Sequence, residues 1–141
     1  LAVGQFIRFY TSPNLKDWQH TSDFKPQEDF TLGVWECPDL FKMKIEGTEE
    51  EKWVLIVNHG DKAPNGGSGT RYFVGKFDGK TFTAETNGIW LDYGTDFYAG
   101  VTFDNHPEGK RVLIAWMSNW QYAQKTPTQI WRSAMTLPRE L

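Results

Sequence analysis

The feature that most restricts the possible folds is a recurrence of strand-like segments with no helical period between them. Trp53-Val54-Leu55-Ile56-Val57 is a continuous apolar run, the pattern of a strand covered on both faces. Before it, Asp39 to Ile45 alternates with period two, as a half-buried strand does. After it come Tyr72 to Phe77, the hairpin turn signal Asp78-Gly79, and a return through Thr81-Phe82-Thr83-Ala84. These four segments form one unit. A second is expected from Asp96 to Phe103, a turn at Asn105 to Gly109, Arg111 to Met117, and Gln129 to Thr136. Its members near Arg111 and Trp131 lie about 60 residues beyond those near Trp53 and Arg71. Upstream, residues 3 to 11 read as strand, Ser12 to Asp17 as a turn, and Trp18 as the start of a short strand, the tail of an earlier copy. Glu28 to Gly33 reads as a polar loop. Four-stranded units repeated without helices indicate an all-β chain, a β-propeller in which blades cover one another and loops gather at the axis. A β-sandwich is the alternative.

Composition removes several function classes. The net charge is -3, and Lys and Arg are not clustered, so no nucleic acid partner is expected. No apolar stretch approaches the roughly 18 residues of a membrane-spanning helix. Cys37 is the only cysteine, which excludes an internal disulfide. His20, His59 and His106 match no zinc spacing, and neither a metal nor another cofactor is expected. The Gly-rich stretch from His59 to Gly69 lacks the Gly-Lys-Ser/Thr ending of a phosphate-binding loop, leaving a permissive loop near a ligand or a connector. Aromatic residues make up 16% of the chain, and rings supply both strand packing and flat faces for a polar, ring-shaped ligand. The opening Leu1-Ala2-Val3-Gly4 already has the composition of a strand interior, so the chain is expected to be a piece of a longer one.

Chemistry concentrates in Gly33-Val34-Trp35-Glu36-Cys37-Pro38-Asp39-Leu40. Pro38 biases Cys37 toward an extended conformation, which places Glu36 at a strand entrance. A carboxylate between Trp35 and Cys37 would, if desolvated, have its charged form disfavoured and become able to donate a proton near neutrality. A Glu paired with Lys or Arg on a strand edge is the structural alternative.

Taken in order, four stretches resemble glycoside hydrolase family 32, the invertases, inulinases, levanases and related β-fructosidases. They are Trp35 to Leu40, Asn65 to Gly75, Asp92 to Ala99, and Trp116 to Tyr122 with Pro127-Thr128 and Trp131 to Met135. The resemblance implies a five-bladed β-propeller, of which residues 1–141 would cover roughly two to three blades, without the first blades or the C-terminal β-sandwich. It also implies a retaining hydrolysis of β-fructofuranosidic bonds in sucrose or in fructans such as inulin and levan, in a secreted or extracellular protein. The family's acid/base Glu in Glu-Cys corresponds to Glu36. Its nucleophile, in Asn-Asp-Pro-Asn, and its transition-state-stabilising Asp, in Arg-Asp-Pro, have no counterpart in this sequence. The 141 residues alone are therefore expected to be inactive.

Three further residues are candidates for substrate binding by the same resemblance. Asn58, at the end of the buried run, would hydrogen-bond the sugar or tune Glu36, or else be a turn-forming Asn. Trp120 corresponds to a pocket-wall Trp packing on the sugar. Asp96 is a candidate hydroxyl-binding carboxylate, with an exposed turn Asp as the alternative, and Asp92 is expected to be solvated. A carbohydrate-binding propeller without catalysis is the competing function; nothing within these residues separates the two, although Glu36 favours the enzyme, because binding alone needs no proton donor there.

Overall fold

The computed structural model describes residues 1–27 and 33–141. The polar loop expected from Glu28 to Gly33, leading into the Glu36 strand, lies outside them except for Gly33. The described chain is all-β, with one short 3-10 turn at Ala123–Lys125. No helix in it is long and apolar enough to cross a membrane.

Three antiparallel sheets follow one another along the chain. The first contains β1 (Ala2–Val3), β2 (Phe6–Thr11) and β3 (Gln19–Phe24) in that order. The turn between β2 and β3 is closed by Asn14, whose Oδ1 accepts from the Lys16 and Asp17 amides, each at 2.9 Å, the local bonding that makes Asn a turn residue. The second sheet runs β4 (Trp35–Lys44), β5 (Glu51–His59), β6 (Gly69–Phe77) and β7 (Phe82–Ala84), with β8 (Ile89–Trp90) also on β6. It reproduces the expected first unit. The third contains β9 (Tyr98–Phe103), β10 (Val112–Trp116) and β11 (Arg139–Glu140), with β10 in the middle.

The continuous apolar run in β5 is covered on both faces. Leu55 and Val57 join Ile7, Phe24, Trp35, Phe73 and Phe82 in one core. Ile56, pointing the other way, joins Phe41, Phe97, Leu113 and Ala115 in a second. At about 1.5 to 3 kcal/mol per fully buried apolar side chain, β5 is the wall both cores share. The second of them joins the second sheet to the third.

Two expectations are corrected. Gln129 to Thr136 does not form the third strand of the second unit. It touches β10 through one bridge, Trp116 to Met135, and the pairing resumes at β11. Ser133 lies at φ 72° and Pro138 carries no amide hydrogen, so neither continues a ladder. Nor is Cys37 extended; its φ is 44°. Glu36 pairs with Asn58 and Asp39 with Ile56, so Cys37 and Pro38 together face the single residue Val57. This is a β-bulge, one of the few places a strand interior accepts proline.

Candidate active site

The bulge determines where the carboxylates of β4 point. In an uninterrupted strand, Glu36 and Asp39 would face opposite sides. The extra residue reverses the alternation: Trp35 and Leu40 both reach the first core, whereas Phe41 reaches the second. Glu36, across from Asn58, and Asp39, across from Ile56, thus share the face turned toward the third sheet. Trp35 is 1% exposed and packs on the far side against His59 and Phe73. Trp35 therefore does not cover Glu36. Strand alternation carries the ring away, and the Glu36 carboxylate is exposed. The Cys37 thiol is also exposed, and its pKa is raised by partial desolvation and then by the neighbouring Glu36 charge.

What reaches Glu36 is Tyr98, which donates its hydroxyl to Glu36 Oε2. Tyr98 is 3% exposed. Its pKa is pushed well up, first by burial and then by the hydrogen bond to the Glu36 carboxylate, so the phenol keeps its proton and remains a donor. It too sits beside a bulge. Tyr98 pairs with Trp116 and Val101 with Ile114, leaving Ala99, at φ 51°, and Gly100 opposite Ala115. The Tyr98 ring lies 6.3 Å from Trp116, and Trp116 lies 4.9 Å from Trp120. Carboxylate, phenol and two indoles form a continuous run, ending at Trp120 with 53% of its surface open.

Asn58 is placed beneath this run rather than in it. It is fully buried. Its Nδ2 donates to the Cys37 carbonyl at 3.2 Å and its Oδ1 accepts from Thr70 Oγ1 at 2.5 Å. Asn58 thus ties the bulge to β6 and offers no atom to a ligand in this chain. Asp96 is half-buried and accepts from the Tyr122 hydroxyl, which draws it to the Trp120 loop. Asp92 is not simply solvated, since Arg139 Nη2 lies 2.8 Å from its carboxylate.

Asn119 gathers the loops. Fully buried, it donates Nδ2 to the Thr95 carbonyl at 2.8 Å and the Gly66 carbonyl at 3.1 Å. Its Oδ1 accepts from the Gln121 amide at 3.0 Å and the Ser68 amide at 3.3 Å. The Gly-rich loop, the segment before Asp96 and the loop bearing Trp120 are held by this one side chain. Tyr98, Trp116 and Asn119 were not singled out from sequence. The available signals were a tyrosine next to a buried-type Phe97 and an Asn in a polar turn after a buried strand.

The arrangement sets an exposed carboxylate beside flat aromatic faces. Residues 2–141 match the glycosyl hydrolases family 32 N-terminal domain, and the chain belongs to that family. It is 48% identical over 147 residues to a levanase of Bacillus subtilis (strain 168), covering 100% of this chain and 22% of that protein. Similarity to the extracellular exo-inulinase inuE of Aspergillus niger is 45% over 145 residues, covering 96% and 27%. The structure of β-fructofuranosidase from Schwanniomyces occidentalis complexed with fructosyl-erythritol superposes with a TM-score of 0.88 at 39% identity, over 96% of this chain and 26% of that one. The chain thus spans about a quarter of the length of these relatives.

Proposed function

We propose that this chain is part of the five-bladed catalytic propeller of a secreted β-fructosidase acting on sucrose or a fructan, and that Glu36 is its general acid/base. The observation that carries the reading is Glu36 itself: an accessible carboxylate at a bulge, held by a tyrosine hydroxyl and followed by a wall of indoles. In the first step the Glu36 carboxylic acid gives its proton to the leaving oxygen while an Asp nucleophile forms the fructosyl ester. In the second, the Glu36 carboxylate takes a proton from the water that cleaves the ester. The nucleophile and the stabilising Asp belong to parts of the protein outside these 141 residues, with the nucleophile about 5 to 5.5 Å from Glu36 across the sugar, the spacing of a retaining enzyme. Trp120 packs on the bound sugar and Asp96 binds a hydroxyl at its edge.

Glu36→Gln in the full-length protein tests this. It keeps the shape and removes the transferable proton, so fructose release from sucrose or levan should fall about 100-fold to 10,000-fold with the fold intact. Turnover within threefold of the parent would reject the role, and sugar binding without turnover in the parent itself would make the protein a binding propeller.

A further inference from the structure

We propose that Asp39 is a positioning residue for the acid/base, a strut that holds β9 against β4 so that the Tyr98 hydroxyl stays on Glu36. This rests on the reading of Glu36 given above. β4 and β9 are both edge strands of their sheets, so no ladder joins them. Two side-chain ties do, and they occur in the same order along the two strands. Glu36 takes the Tyr98 hydroxyl. Beyond the bulges, Asp39 Oδ2 accepts from the Thr102 amide at 3.0 Å and from Thr102 Oγ1 at 2.7 Å. The Thr102 hydroxyl in turn accepts from Arg111 Nη1 at 3.1 Å, and the Arg111 guanidinium lies over the Phe41 ring of β4, 4.6 Å from its centroid.

Both groups in the catalytic contact sit next to backbone that is poorly fixed by its own ladder, because each precedes a bulge. A hydrogen bond between them is only as well aimed as the separation of the two strands. Asp39 supplies a carboxylate with two donors from one residue, a geometry that fixes distance and tilt together. It faces Thr102 only because the Cys37–Pro38 bulge turns it to the side of β4 that carries Glu36. The two ties are thus one device, with the chemistry at one end and the spacer at the other.

Proton donation matters most when the leaving group is a poor one, which separates positioning of the acid from general loss of structure. The experiment measures kcat/KM of the full-length enzyme on sucrose and on p-nitrophenyl β-fructofuranoside, whose leaving phenol needs little protonation. Asp39→Ala should lower the sucrose value about 30-fold and the aryl value less than about threefold. Asp39→Asn retains an acceptor for Thr102 and should stay within about threefold on both substrates. Tyr98→Phe should reproduce the Asp39→Ala pattern, and the double variant should be no more than about twofold slower than the slower single, because both remove the same alignment. If Asp39→Ala does not fold, Thr102→Val, which removes one of the two donors, should show the same substrate split at about fivefold. Equal losses on the two substrates, no loss at all, or multiplicative effects in the double variant would overturn the proposal. Normal sucrose turnover in Glu36→Gln would instead overturn the acid/base reading on which it stands.

Discussion

Gly67 and Asn119 make a close contact whose energy can be worked out and measured. Gly67 lies at φ 67°, and a Cβ built there would overlap Asn119 Oδ1 and stand 2.8 Å from Asn119 Cγ and 2.7 Å from Gln121 Cγ. Gln121 is exposed and can move. Asn119 is buried and its side chain is engaged in five hydrogen bonds. Gly67→Ala should cost about 1 to 2 kcal/mol for a left-handed alanine. Displacing Asn119 should cost about 3 to 4 kcal/mol more, at on the order of 1 kcal/mol per hydrogen bond lost. Asn119→Ala alone forfeits the same bonds, about 3 to 4 kcal/mol. In the double variant the overlap is gone, and only the backbone term adds to the loss of Asn119. The two substitutions should therefore fall short of additivity by about 3 kcal/mol. Urea unfolding of the four proteins, followed by tryptophan fluorescence, measures this directly from the midpoints at constant m. Additivity within about 0.5 kcal/mol would refute the argument that one buried amide holds the three loops together.

His59 gives a pH prediction. Burial, and then the Arg71 charge, lower its pKa from 6.5 to about 3, so it is neutral in the fold and charges on unfolding. Stability should be complete above pH 6.5 and decline toward pH 3, by at most about 1.4 kcal/mol per pH unit from this group. His59→Phe should flatten the midpoint-against-pH curve between pH 4 and 6, and an unchanged slope would contradict a neutral buried His59. Trp120→Ala should raise KM for sucrose or levan and lower kcat/KM about tenfold, with stability within about 1 kcal/mol because the ring is largely exposed. A larger fall in stability than in binding would make Trp120 a packing residue instead.

The strands that bury an entire face were legible in the sequence. Trp53 to Val57 is uniformly apolar because neighbours cover both sides, and Phe41 to Lys44 alternates because they cover one. Ile130 and Trp131 look equally strand-like, yet they are 95% and 61% exposed. Composition does not reveal that a left-handed Ser133 and Pro138 interrupt their pairing. Glu36 stands out through a local motif, but its setting does not. The neighbours in sequence, above all Trp35, point away from it, and its hydrogen-bond partner Tyr98 is 62 residues distant. Pro38 was the readable clue to the bulge, since a proline inside a strand demands an irregular ladder. Asn58 looked like a strand-end residue facing the site, and only its contacts to Cys37 and Thr70 show that it faces inward. Asn119 carries no periodic signal, because its partners come from three separate loops.

The paired residues Cys37 and Pro38 also determine where this chain can be cut and rejoined with a relative's. Deleting either one would close β4 into an ordinary ladder with Glu36 and Asp39 two positions apart, opposite Asn58 and Ile56 as before and still on one face. A recombinant that drops one residue here would keep the phase of β4 and lose the bend beside Glu36. Seams are safer at Gly47 and Gly79, turn glycines at φ 76° and 91° with open space around them. There a change of length alters only a loop, and the phase of the strands on either side is kept.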